Sequence, residues 1–226
     1  LAKRGYKTLN IDKLPTSGYG STSNSCAIVR AHYSTWDGVA MAYEGFFYWD
    51  DWENYLGVED ERGMIKYMKT GSIMFKLQGE DHSKKSLKFF EEIGVEHEIW
   101  DLEKLKERMP IYSHDQFDGT TRPDEDDHFF DKTGKVIEGA IFTPGSGYVS
   151  DPQLSSHNLQ VAAEANGGEF LFNNEIKEIR QENGKVLGVT IKTGEQIDAP
   201  IVVNVAGPHS FVINRMAGVE EEMNIK

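Results

Sequence analysis

Cysteine is nearly missing from this chain. Cys26 is the only one among 226 residues, so no internal disulfide can form and nothing points to an oxidising compartment; a cytoplasmic location is the expectation. Long apolar runs are missing as well. None approaches the ~20 residues that a membrane-spanning helix needs, and no charged-then-apolar leader opens the chain, so no membrane span is expected. Positive charge is scarce, with 24 Lys and Arg against 37 Asp and Glu for a net of -13. A nucleic-acid partner needs a basic face to displace counterions, and is excluded. There is no GxGxxG turn anywhere, and no initiating Met. At this length the chain can still bury a sizeable core, as one large domain or two small ones.

What is present is organised around the first 33 residues, LAKRGYKTLNIDKLPTSGYGSTSNSCAIVRAHY. Leu1 to Lys7 reads as the end of a helix, with Gly5 as its cap and Lys3, Arg4 and Lys7 where the helix dipole favours positive charge. A short strand, Thr8 to Asp12, follows. In nucleotide-binding α/β units an acidic residue at such a strand end accepts hydrogen bonds from a ribose, and Asp12 stands in that place. The next loop is rich in Gly, Ser and Thr, whose amides and hydroxyls suit a pyrophosphate. It leads into an extended Ile-Val-Arg30.

Further along, Ser34 to Gly57 reads as one long helix with a broad apolar stripe of Val39, Tyr43, Phe46, Phe47, Tyr48, Trp49 and Trp52. Lys66 to Leu77 reads as a strand or hairpin bent at Gly71, Ser83 to Gly94 as an amphipathic helix, and Val95 to Trp100 as extended. Asp101 caps a short helix that Pro110 ends. Ile111 to Glu138 is a long loop with a TRPDEDDH core whose spacing fits neither an EF-hand nor a zinc site, so no metal is expected. A strand enters the glycine turn at Gly145 to Gly147. Asp151 and Pro152 then start a helix that Asn166-Gly167-Gly168 closes. Glu169 to Asn173 is extended, and a hairpin with an Asn183-Gly184 turn joins Glu175 to Gln181 with Val186 to Lys192. The run Ile201 to Val205 reads as a strand buried on both faces, ending at Ala206-Gly207 where parallel sheets hold ligands.

The order of these pieces resembles the flavin-dependent amine oxidoreductases of the D-amino-acid oxidase and sarcosine oxidase superfamily. The likeness rests on the helix end, Lys7-Thr-Leu-Asn-Ile-Asp12, the Gly20-Ser-Thr-Ser23 loop and Ile28-Val-Arg30; it continues at Gly145 to Asp151 and Asn204 to Gly207. It implies an α/β, partly α+β, fold. A Rossmann-like FAD-binding domain would be assembled from residues 1–60 and 144–226, with 61–143 forming part of a substrate domain on a mixed sheet. The resemblance further implies that the chain is cut at both ends, that the glycine-rich turn precedes Leu1, and that the chain alone does not bind FAD tightly.

Residue by residue, the resemblance gives Asp12 to the ribose and Lys13 to the adenosine side, with Gly20, Ser21, Thr22 and Ser23 close to the cofactor. Ile176 matches a position whose backbone pairs with adenine, and Ala206 and Gly207 the small pair that lets a strand end approach FAD. Arg30 aligns with an arginine that holds the substrate carboxylate, a role a guanidinium fills through two parallel hydrogen bonds. Three departures stand out. Ala27 replaces a second family arginine, His209 stands where many relatives carry an aromatic, and Asn24 replaces a histidine that bonds covalently to flavin in some members. Cys26 is expected to be a small, partly buried thiol, and His32 and Tyr33 to be structural.

The implied activity is oxidation of the C–N bond of an amino acid or N-methyl amino acid. Oxygen, a quinone or an electron-transfer protein takes the electrons. Two alternatives stay open: an FAD-dependent hydroxy-acid or glycerol-phosphate dehydrogenase, told apart by its products, and a non-catalytic flavoprotein assembly factor that binds partners through the acidic loop.

Overall fold

The structure is a computed structural model and describes residues 1–117, 122, 124–125 and 127–219. The acidic stretch is therefore described only in part, and the reading of it as a partner-binding loop falls partly outside the described residues. In chain order the elements are β1 (Leu9–Ile11), β2 (Ile28–Val29), α1 (Trp36–Asp50), α2 (Trp52–Leu56), β3 (Tyr67–Met68), β4 (Ser72–Leu77), α3 (His82–Ile93), β5 (Glu98–Asp101), α4 (Leu102–Arg108), β6 (Asp115–Phe117), β7 (Lys132–Thr143), β8 (Gly147–Val149), α5 (Pro152–Ala165), β9 (Glu169–Leu171), β10 (Ile176–Glu182), β11 (Lys185–Ile191), β12 (Gln196–Asp198) and α6 (Ser210–Met216). The expected mixed α/β architecture is present. The chain forms two compact units, one of Leu1–Asn24 with Ser156–Lys226 and one of Ser25–Ser155.

In the unit of Ser25–Ser155, the long strand β7 is central. It pairs antiparallel with β4 on one side and β5 on the other, and its first part pairs with β6. Both faces of this sheet are covered, and a bulge changes the alternation of side chains along it. Lys76 faces Gly139 but Leu77 faces Ile137, so Glu138 is the extra residue and Ile137 returns to the face of Ala140. That face packs on Trp100, Leu105 of α4, Ile73 and Phe75, with Trp100 and Phe142 stacked at 4.6 Å. The opposite face sends Ile141 and Met74 into a core with Val39 and Phe46 of α1, Phe90 of α3, and Ala31. A second, three-stranded sheet has the order β2-β8-β3.

In the other unit β1 and β9 run parallel, with Leu9 opposite Glu169 and Ile11 opposite Leu171. Beside them in sequence, β10, β11 and β12 form an antiparallel sheet whose core is Ile179, Val189 and Ile191. Asn183 and Gly184 turn the hairpin at φ 51 and 75, the conformation a two-residue hairpin requires.

Several expectations are corrected. The long helix breaks at Asp51 (φ -116, ψ 39) into α1 and α2, and the aromatic stripe is not all on the buried face: Phe46 and Trp52 are buried, but Phe47, next to Phe46 on α1, is 61% exposed. The residues around Gly71 form no hairpin; β3 pairs with β8, and β4 with β7. The first residues make a single 3-10 turn, Ala2–Arg4, capped by Gly5 as expected. Residues 111–138 are not loop throughout, since β6 and the start of β7 pair, with Lys132 Nζ 2.6 Å from Asp115 and Phe117 stacked on Phe130. These strands are polar and charged, so no apolar alternation marks them. The run 201–205 forms no strand and joins no described one, and Ile201, Val203 and Val205 are 74%, 60% and 83% exposed rather than buried. Apolar, β-branched composition favours pairing, but a strand exists only where a neighbour supplies the ladder.

Candidate functional site

The carboxyl ends of β1 and β9 are laced together. Asp12 N–H donates to Leu171 O at 3.1 Å, Asn174 N–H to Asp12 O at 3.0 Å and Asn173 N–H to Leu14 O at 3.0 Å. Asp12 Oδ1 also accepts from the Leu14 amide at 2.9 Å, a local turn that fixes the direction of an exposed carboxylate. Strand ends of parallel pairs are where α/β folds hold ligands.

Two residues past Asn174 the chain enters β10 at Ile176. The Lys192 amide donates to Glu175 O at 2.9 Å, so Glu175 turns its carbonyl toward β11. Successive residues of a strand alternate, and Ile176, opposite Ile191, therefore directs its N–H and C=O away from β11. That side is the open edge of the β10-β11-β12 sheet. A planar ring with a neighbouring donor and acceptor can complete such a pair, and any side chain suffices.

The loop after Asp12 is folded on itself. Ser23 N–H donates to Gly18 O, Ser23 Oγ and Asn24 Nδ2 both donate to Gly20 O, and Ser17 Oγ donates to Gln160 of α5 at 2.6 Å. The Ser23 hydroxyl is thus spent on the loop, whereas the hydroxyls of Ser21 and Thr22 make no hydrogen bond among the described residues. Lys13 is exposed beside Glu175, whose carboxyl is held low chiefly by the hydrogen bond from Lys192, with a smaller contribution from the charge of Lys13.

Ala206 and Gly207 begin a 3-10 turn, Gly207–His209, with Gly207 at φ 55. Asn204 holds this segment: its Oδ1 accepts from the Ala206 amide at 3.2 Å, and its Nδ2 donates to Ser210 O at 2.8 Å and Asn214 Oδ1 at 2.6 Å. These bonds run within residues 204–214, not to β1 or the serine-rich loop. Asn204 was given no role from the sequence, although an amide interrupting an Ile-Val-Val-Asn-Val run is a visible sign that something there needs a polar partner.

Arg30 belongs to the other unit. It follows β2, where Ile28 pairs with Tyr148 and Val29 with Gly147, and its side chain is exposed. Among the described residues it forms no ion pair and no hydrogen bond. Ala31 and His32 beyond it are buried, and His32 Nε2 lies 2.6 Å from Thr143 Oγ1. Burial, with the positive charges of Arg30 and His82, pushes the imidazole down from 6.5 to about 4, so it is neutral near pH 7. Tyr33 is 45% exposed. Cys26 is exposed rather than partly buried, because the chain around it is loop and Ala27 turns through φ 58 into β2. Among the described residues no three His, Cys, Asp or Glu side chains gather closely enough to hold a metal, and no helix is long and apolar enough to cross a membrane.

The sheets and helices define a mixed α/β protein. The chain belongs to the FAD dependent oxidoreductase family (DAO), whose model matches residues 1–226, and members of that family depend on FAD. A search of curated proteins finds no match. Among solved structures, L-proline dehydrogenase from P. horikoshii is similar at 23% identity and TM-score 0.75, over 100% of this chain and 53% of that one. Glycine oxidase from Geobacillus kaustophilus is 21% identical with TM-score 0.70, over 97% of this chain and 54% of that one. L-amino acid deaminase from Proteus vulgaris is 15% identical with TM-score 0.67, over 97% and 46%. The chain thus spans about half the length of the structures it matches.

Proposed function

We propose that this chain is part of an enzyme that oxidises the C–N bond of an amino acid or N-methyl amino acid, with Arg30 gripping the substrate carboxylate. The supporting observation is the state of Arg30. In a chain of net charge -13 its guanidinium is exposed and has no carboxylate partner among the described residues. A planar, permanently charged guanidinium can grip a carboxylate ligand through two parallel bonds. The similar structures are, by name, a proline dehydrogenase, a glycine oxidase and amino acid deaminases, and their amino-acid ligands share that carboxylate.

The residues present fit the adenosine end of FAD. Asp12 offers an oriented carboxylate oxygen to the ribose, Ile176 an outward N–H and C=O pair to the adenine, and Lys13 a positive charge beside it. Ser21, Thr22, Ser23, Gly20 and the Ala206–Gly207 step are assigned to close approach along the rest of the cofactor. The FAD-binding role goes to segments 1–60 and 144–226 and the substrate role to 61–143. When bound, FAD supplies a two-electron oxidation, accepting a hydride from the carbon beside the amine nitrogen so that an imine leaves and is hydrolysed. Arg30 contributes orientation: a carboxylate held at two points leaves one C–H direction.

The complete polypeptide, purified with its flavin and challenged anaerobically with sarcosine, dimethylglycine, glycine, L-proline and D-amino acids, should bleach with at least one of them. Arg30→Ala should then raise KM for the acid-bearing substrate by roughly a hundredfold, the size expected for a charge-assisted pair, and leave the matching amine little changed. Equal losses for both would remove Arg30 from this role.

A further inference from the structure

Arg30 itself lies outside the β2 ladder, so something beyond its own backbone pairing has to set its direction. The chain on its amino side is held where Val29 pairs with Gly147 of β8. On its carboxyl side Ala31 is fully buried, and His32 Nε2 meets Thr143 Oγ1, the last residue of β7, at 2.6 Å. Thr143 and Gly147 are the two ends of one tight link, closed by the Ser146 amide donating to Thr143 O at 3.2 Å. The segment that carries Arg30 is therefore fastened at both ends to the same turn.

Thr143 is fully buried and its own place is fixed. It sits opposite Ser72 of β4, its hydroxyl 3.2 Å from Ser72 Oγ and 3.4 Å from Ser72 O. The His32 ring is also stacked obliquely on Phe90, at 5.5 Å. A buried polar pair of this kind costs desolvation on both sides, and apolar residues of equal volume would fill the same space without it. Packing alone gives no reason for an imidazole and a hydroxyl here; holding one rotamer and one backbone path does.

We infer that His32 and Thr143 are a positioning pair for substrate binding: their hydrogen bond fixes the backbone that presents Arg30 and so sets where the substrate carboxylate is gripped. This rests on the carboxylate role proposed for Arg30. Neither residue touches the substrate. The bond acts through the arginine, and its loss changes affinity for the acid group rather than the chemical step.

The test uses the complete flavoprotein and three substrate pairs that differ only by the carboxylate: L-proline and pyrrolidine, glycine and methylamine, sarcosine and dimethylamine. Thr143→Val and His32→Phe keep volume and remove the bond. Each should raise KM for the amino acid about tenfold, with kcat and the constants for the paired amine little changed, as the net value of one buried hydrogen bond implies. Thr143→Ser and His32→Gln, which keep a partner atom, should restore most of the affinity. In an Arg30→Ala background the Thr143→Val and His32→Phe changes should add nothing. Equal losses for acid and amine, a further loss in the Arg30→Ala background, or a change confined to the melting temperature would overturn the inference. If Arg30→Ala does not distinguish acid from amine, or no pair is turned over, the proposed function fails first and the positioning role goes with it. If Arg30→Ala discriminates and Thr143→Val does not, only the positioning role falls.

Discussion

His32 shows how one buried ring links stability to pH. Its imidazole is neutral in the fold because burial, then Arg30, then His82, disfavour the proton, and its value falls from 6.5 to about 4. Between those two values the unfolded chain binds a proton that the fold refuses, so stability rises with pH across that window and is lost as pH drops from 6.5 toward 4. The loss reaches at most ~3 kcal/mol. Denaturant titrations at pH 7 and pH 4.5 should therefore show His32→Phe losing less stability on acidification than the parent. A parallel pair of curves would mean that the ring does not titrate as described. Arg30 and Asp12 could be picked out from the sequence because the motifs around them resemble those of the family. The partnerships of Thr143 and Asn204 could not, since the atoms they bind come from distant residues or from the far side of a turn.

Helix starts and stops were readable, and the reason is local. Thr35 accepts from the Gly38 amide, Asp101 from Lys104 and Asp151 from Leu154, all three residues on, so the signal and its partner share one window of sequence. The hairpin turn at Asn183-Gly184 is equally local. Strand partners are not: β3 and β4 are neighbours in sequence and lie in different sheets. Gly147 of β8 illustrates what the pairing demands. A Cβ there would stand 1.9 Å from Met68 O, inside the β3-β8 contact, and no side chain can move aside because the obstacle is backbone. Gly147→Ala should destabilise the chain by about 2 kcal/mol or more, read as a lower denaturant midpoint. Because Gly147 also pairs with Val29, the same variant should weaken amino-acid binding. An unchanged midpoint would show that the two strands separate more easily than their register suggests.

For the molecule as a whole, surface composition matters most in one place. Residues 201–205 present Ile201, Val203 and Val205 exposed in an apolar run that pairs with no strand among the described residues. Such a run is a template for pairing with another chain. In the 226-residue chain Val203→Lys should cut binding of a hydrophobic dye and slow aggregation without lowering the melting temperature; faster aggregation would place the sticky surface elsewhere. The amino-acid order alone gave the class of fold, the starts of the helices after Thr35, Asp101 and Asp151, and the family through its motifs, because capping and short motifs act over a few residues. Which strands pair, that the long helix breaks at Asp51, that Ile176 turns its backbone to an open edge and that His32 meets Thr143 required the folded chain. The strand pairings and the His32–Thr143 contact depend on hydrogen bonds between residues far apart in sequence, such as Asp12 with Asn174 and His32 with Thr143, and no local preference encodes a distant partner.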